Sequence, residues 1–171
     1  MMKKQLLVLL STALLSLAYF SADAQVYKSA VGLRLGYPWA VTYKTFISES
    51  SALEVYAGYR GWAGWSWFSV NGAYQVHRPF PNVDNLQWYF GGGAGILFWN
   101  FDDPFFEDEY GTTVFSIQGY LGLDYTFEDV PINLTLDWIP TFWLNGYDDG
   151  FHGNYGNLAV RYVLGGGASR K

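Results

Sequence analysis

The chain has no cysteine in its 171 residues. Disulfide frameworks, thiolate zinc sites, iron–sulfur clusters and cysteine nucleophiles are excluded together. Charge is also scarce: Asp, Glu, Lys and Arg make up 15% of the chain, and 10 basic residues face 15 acidic ones for a net charge of −5. A nucleic-acid partner needs clustered positive charge, so that class falls away. Nothing after Gln25 keeps a helical period, and nothing there is apolar enough for a spanning helix of about 20 residues. Glycine is plentiful at 20 residues, yet without the G-X-Y period of collagen. What remains is aromatic. With 8 Trp, 14 Tyr and 13 Phe in a half-apolar chain, intrinsic disorder is excluded as well.

The N-terminus carries an address. Lys3 and Lys4 precede an apolar run from Leu6 to Phe20, and Ala22-Asp23-Ala24 supplies an A-x-A cleavage pattern. This order predicts a secretory signal peptide over 1–24, because the run is too short for a membrane anchor. The folded domain is expected over 25–164, with a tail at 165–171.

Beyond Gln25 the recurring period is 2. Strands are expected at 28–37, 39–47, 51–60, 66–77, 86–99, 113–127, 131–140 and 156–164, separated by turn-type sequence. One face carries residues such as Val31, Leu33, Leu35, Leu53, Val55, Phe68, Val70, Ile117, Leu121, Leu134, Leu136, Val160 and Tyr162. The other carries Arg34, Glu54, Arg60, Asp124, Asp137 and Arg161 among Ser, Asn, Gln and Thr. The second strand is less clean, with Phe46 on the face of Lys44. The fifth is softened by Gly91-Gly92-Gly93-Ala94-Gly95, which marks a bend or a close backbone approach.

Such alternation fits a soluble barrel with the oily face inward, or a transmembrane barrel with it outward. Three features favour the membrane. Several strands reach the 9–11 residues or so that a bilayer crossing needs. Aromatics, including Tyr37, Trp39, Tyr59, Trp88 and Trp138, crowd the strand ends as interfacial girdles do. Connections alternate short (48–50, 78–85, 128–130) and long (61–65, 100–112, 141–155), as periplasmic turns and external loops should. The fold expected is all-β: an eight-stranded antiparallel up-and-down transmembrane barrel behind a cleavable signal peptide.

On these features the chain resembles the small eight-stranded outer-membrane β-barrel proteins of Gram-negative bacteria, the OmpA/OmpX-type domains. The likeness covers Gln25–Leu164, with Leu158, Val160, Tyr162 and Leu164 as the alternating final strand. Leu164 stands where that family usually has an aromatic. The resemblance implies outer-membrane lipid and lipopolysaccharide as surroundings, and the outer-membrane insertion machinery as a partner.

Chemistry is sparse. His77 and His152 fall on opposite rims and cannot share a metal or a triad, so no catalytic, cofactor or metal residues are assigned. The lumen is expected to hold a charge network of Arg34, Lys44, Glu54, Arg60, Asp124, Asp137 and Arg161, because unpaired charges in a narrow interior are costly. Lys44–Glu54 and Asp137–Arg161 contacts are expected, with Arg34 sharing Asp137, and Tyr56, Gln75, Gln118 and Tyr120 filling the remaining space. Asp102, Asp103, Phe105, Phe106, Glu107, Asp108 and Glu109 form an acidic loop with two aromatics, an expected external contact segment without the spacing of a calcium loop. The reading favoured is a non-enzymatic barrel with a structural or surface-interaction role. A narrow channel, a lipid-acting enzyme and a soluble lipocalin-like carrier are the alternatives.

Overall fold

A computed structural model describes residues 27–36, 39–62, 65–101, 113–146 and 149–166. The expected signal peptide, the acidic loop and the last residues of the tail lie outside them. Ten strands form one antiparallel sheet: β1 (Tyr27–Gly36), β2 (Trp39–Phe46), β3 (Ser51–Trp62), β4 (Trp65–Pro79), β5 (Leu86–Phe101), β6 (Thr113–Thr126), β7 (Ile132–Trp138), β8 (Thr141–Trp143), β9 (Gly150–His152) and β10 (Gly156–Gly166). Each of β1 to β6 pairs with the next, β7 pairs with β10, and β10 pairs with β1. The sheet therefore closes into an eight-stranded up-and-down barrel. No backbone edge remains open around the ring, which is the condition for a sheet surrounded by lipid.

The alternation runs inside out relative to a soluble protein. Leu33 and Val55 are each 53% exposed and Leu136 is 60% exposed, whereas Lys44, Glu54 and Arg161 are wholly buried. The apolar belt faces outward and the charges face the lumen. A lipocalin-like arrangement, with the oily face inward, is the opposite of this one.

Both chain ends leave the barrel on one side, where Tyr27 pairs with Gly166. The connections on that side are the short ones at 47–50, 80–85 and 127–131. In the second of them Asn82 and Asn85 take positive φ values of 61° and 60°, a conformation their short polar side chains tolerate. The Phe80 N–H donates to Leu86 O at 2.8 Å to close the turn.

The opposite side departs from the expected run of long loops. The first connection, residues 37–38, is as short as expected, but only residues 63–64 separate β3 from β4 where a longer 61–65 loop is expected, and Trp62 pairs directly with Trp65. The segment expected as a loop over 141–155 contains the β8–β9 hairpin, and β8 continues the pairing of β7 along β6. Between β7 and β8 the chain kinks at Ile139–Pro140. Gly119 N–H donates to Pro140 O at 2.8 Å, and Ile139 N–H to Tyr155 O at 2.9 Å. Proline has no N–H to offer the ladder, so the strand breaks there and resumes beyond it. Three-residue strands are too short to display alternation, which is why the sequence reads as loop.

The glycine-rich strand β5 separates two kinds of glycine. Gly91 and Gly93 face inward, where an added Cβ would run into the carbonyl oxygens of Tyr74 and Gly72 on β4. Gly92 faces out, and its Cβ would meet nothing nearer than Gln118 O at 3.9 Å. Strong curvature presses the inner face of the wall together, and only glycine fits there. Gly93→Ala should therefore prevent the heat-sensitive compact gel mobility of a folded barrel from forming, whereas Gly92→Ala should leave it unchanged. Equal behaviour of the two variants would contradict the wall geometry.

Candidate functional site

The lumen is the one place where this chain concentrates polar chemistry among the described residues. Period-2 alternation aims Arg34 of β1, Thr42 and Lys44 of β2, Glu54 of β3 and Gln75 of β4 inward. From the other wall come Tyr89 of β5, Asp124 of β6, Asn133, Thr135 and Asp137 of β7, and Arg161 of β10. All are buried.

Glu54 is the hub. Its Oε1 accepts from Arg34 Nη1 at 2.6 Å, from Thr42 Oγ1 at 2.7 Å and from Arg161 Nη2, while Oε2 accepts from Gln75 Nε2 at 2.7 Å. Arg34 uses its other nitrogen for Asp137, with Nη2 donating to Oδ1 at 3.0 Å and to Oδ2 at 2.7 Å. Tyr89 donates to the same Asp137 Oδ2 at 2.6 Å. Arg161 Nη1 donates to Thr135 Oγ1 at 2.5 Å and Asn133 Oδ1 at 3.3 Å. Lys44 Nζ donates to Asp124 Oδ2 at 2.8 Å, beside Tyr27 OH at 3.2 Å, and Asn133 Nδ2 donates to Asp124 Oδ1 at 2.5 Å. Two rings flank the cations. The Arg34 guanidinium lies 4.6 Å from the centre of Tyr56, and Lys44 Nζ lies 4.6 Å from the centre of Tyr89.

Six of the seven charges expected in the network come together, three cations with three carboxylates. Arg60 does not join them: it is exposed near the rim opposite the chain ends. Its exclusion makes the buried charge count balance.

The partners differ from expectation in two places. Lys44 does stand opposite Glu54 in the β2–β3 register, but it reaches across to Asp124, and Glu54 takes two guanidiniums instead. In so narrow a lumen the far wall is as accessible to a long side chain as the adjacent strand. The Asp137–Arg161 contact is likewise absent. Arg161 pairs in register with Asn133, and Asp137 with Asn157, so Arg161 lies four residues along the strand from Asp137's partner. Arg34 binds Asp137 as anticipated.

Layers above and below seal the network. Toward the chain ends, Tyr27, Ala30, Phe46, Ala52 and Val163 pack into an apolar cluster. In the other direction Tyr56 and Tyr120 share a 2.8 Å hydroxyl contact, and Gln118 joins both tyrosines and Asn71. Above these, Trp67, Leu97 and Val114 pack with Trp65, Trp99 and Trp143. The four expected filler residues are all in place.

His77 is stacked on Tyr89 at 4.8 Å with Nδ1 2.9 Å from Gln87 Oε1, near the chain-end side. His152 stacks on Tyr155 at 5.8 Å in the other rim. Among the described residues no three His, Asp or Glu side chains are grouped to hold a metal. Asp102, Asp103, Phe105, Phe106, Glu107, Asp108 and Glu109 lie outside the described residues.

Tyr27, Thr42, Tyr89, Asn133 and Thr135 join the network without being assigned to it by the sequence. The inward parity of the last four is readable in the sequence. Tyr27 precedes the expected start of its strand and gives no such signal.

These features define a closed eight-stranded barrel of the outer-membrane type, oily outside and ionic within. No protein family and no curated protein sequence matches the chain. The crystal structure of Neisserial surface protein A is similar, with a TM-score of 0.51 over 80% of this chain and 93% of that one, at 10% sequence identity. At that identity the likeness carries the fold.

Glu54→Gln would leave two buried guanidiniums sharing a neutral acceptor. Removing one partner of a buried ion pair costs about 3–5 kcal/mol, so this variant should unfold at clearly lower urea concentration in detergent micelles. Arg60→Gln, at an exposed position, should stay within about 0.5 kcal/mol of the native chain. Equal midpoints for the two variants would remove Glu54 from its central place.

Proposed function

We propose that this protein is a non-enzymatic integral outer-membrane barrel whose role is structural or surface-interacting, and whose lumen passes no solute. The observation that carries this reading is the neutral ionic network spanning the lumen between two aromatic ends. An eight-stranded barrel has an interior just wide enough for side chains to fill, and here the side chains that fill it are bound to one another from wall to wall. Function is then left to the surfaces.

The 1–24 segment directs the chain across the inner membrane, and the mature protein starts at Gln25. The outer-membrane insertion machinery places it among phospholipid and lipopolysaccharide. The acidic segment with Asp102, Asp103, Phe105, Phe106, Glu107, Asp108 and Glu109 is the external contact loop. Its paired aromatics amid carboxylates offer both apolar surface and charge to a partner at the cell surface. A similar fold in a protein named as a surface protein is consistent with this role.

Cell fractionation combined with planar-bilayer recording tests the proposal. The expected result is a chain beginning at Gln25 in the outer membrane, with a gel mobility that changes on boiling and no steady conductance when purified. Recovery in the soluble periplasm, or steady ion current, would overturn it.

A further inference from the structure

The outer face of the barrel is not uniformly convex. Between β6 and β7 an apolar groove is walled by Trp88, Leu121, Leu123, Leu136 and Trp138, with the backbone of the Gly122–Asp137 pair as its floor. The two tryptophans stand at its ends. A cross-strand row leads out of it toward the short-turn side: Leu136 pairs with Leu123, Leu123 with Trp88, and Trp88 with Arg78.

Arg78 is half-buried one residue from the end of β4. Its Nη1 donates to the neighbouring His77 O at 3.1 Å, which holds the guanidinium at the edge of the apolar belt. The short turns on this side of the barrel are acidic. Asp84, Glu128 and Asp129 are all exposed. Asn85 Nδ2 donates to Glu128 Oε1 at 2.7 Å, which ties the β4–β5 turn to the β6–β7 turn. A cation one strand beyond the groove's Trp88 edge, on the side of the acidic short turns, is a specific charge pattern.

We propose that this groove holds one phospholipid with a zwitterionic headgroup, its acyl chain between Trp88 and Trp138, its phosphate on Arg78 and its ammonium facing the acidic turns. The inference rests on the barrel being embedded in a membrane. A guanidinium is the preferred side chain for phosphate because its parallel N–H groups match two oxygens. The carboxylates of Asp84 and Glu128 then discriminate among headgroups. They attract an ethanolamine ammonium and repel a lipid whose only charge is negative. Apolar walls with no charged side chain projecting into them suit a hydrocarbon chain.

Native mass spectrometry of the mature chain in non-ionic detergent tests this directly. Phosphatidylethanolamine and phosphatidylglycerol with identical acyl chains are added in equal amount. The native chain should retain one phosphatidylethanolamine with several-fold preference. Arg78→Gln should reduce its retention to the level of phosphatidylglycerol, and Leu123→Trp, which fills the groove, should reduce retention of both. Equal retention of the two lipids by the native chain would overturn the assignment, whatever the variants do. So would native-level lipid retention by either variant. Gel mobility before and after boiling separates the two claims: a barrel that keeps its heat-dependent shift but shows no lipid preference loses this site and not its membrane fold.

Discussion

One carboxylate in the lumen holds the barrel's closure. Glu54 on β3 receives guanidinium nitrogens from Arg34 on β1 and from Arg161 on β10, and β1 and β10 are the strands whose pairing closes the ring. The partners come from opposite ends of the chain: Arg161 and Glu54 are 107 residues apart, and Arg34 and Asp137 are 103 apart. Main-chain ladders join each strand to its neighbour. The ionic network joins strands that are not neighbours, and so braces the ring across its diameter. A buried ionic group is rarely worth more than a well-packed apolar one, and its attested value is in specifying one arrangement over others. Here that arrangement includes register. A one-residue slip of β1, β2, β3, β6, β7 or β10 would turn its lumen charge into lipid.

The surroundings make this interior possible. In water the oily belt would collapse inward and expel the charges. In lipid the belt is already solvated by hydrocarbon, and an Arg turned outward near the midplane would cost about 2–4 kcal/mol. The charged residues therefore have one low-energy place to be, and equal numbers of cations and carboxylates let all of them stay there. Arg60, exposed beside the short β3–β4 turn, meets neither constraint. The wall itself is shaped by the same crowding: inward Gly91 and Gly93 are fixed by the approach of β4, while outward Gly92 is not.

Much of this was readable from residue order. All eight staves of the barrel and the inward facing of six of the seven expected lumen charges follow from period-2 alternation, because a strand has only two faces; Arg60 shares their parity but sits exposed at the rim. The β8–β9 hairpin was not readable: its strands are too short to alternate, and the Pro140 break conceals their continuity with β7. Nor were the actual ion pairs. Alternation states that Arg34, Lys44 and Arg161 point inward, but partner choice depends on the β7–β10 register and on reach across the lumen. Neither is encoded locally. Asn133 and Thr135 read as ordinary polar lumen residues, and only the register shows that they anchor Arg161.

The central claim is the inside-out arrangement, and lipid contact reports on it most directly. Methyl NMR of the protein in lipid nanodiscs, with nitroxide-bearing acyl chains, distinguishes the two faces residue by residue. The methyls of Val31, Leu33, Leu121 and Leu136 should be strongly broadened, while those of Ala30, Thr42, Ala73 and Thr135 stay sharp. Broadening of the second set with protection of the first would contradict the account.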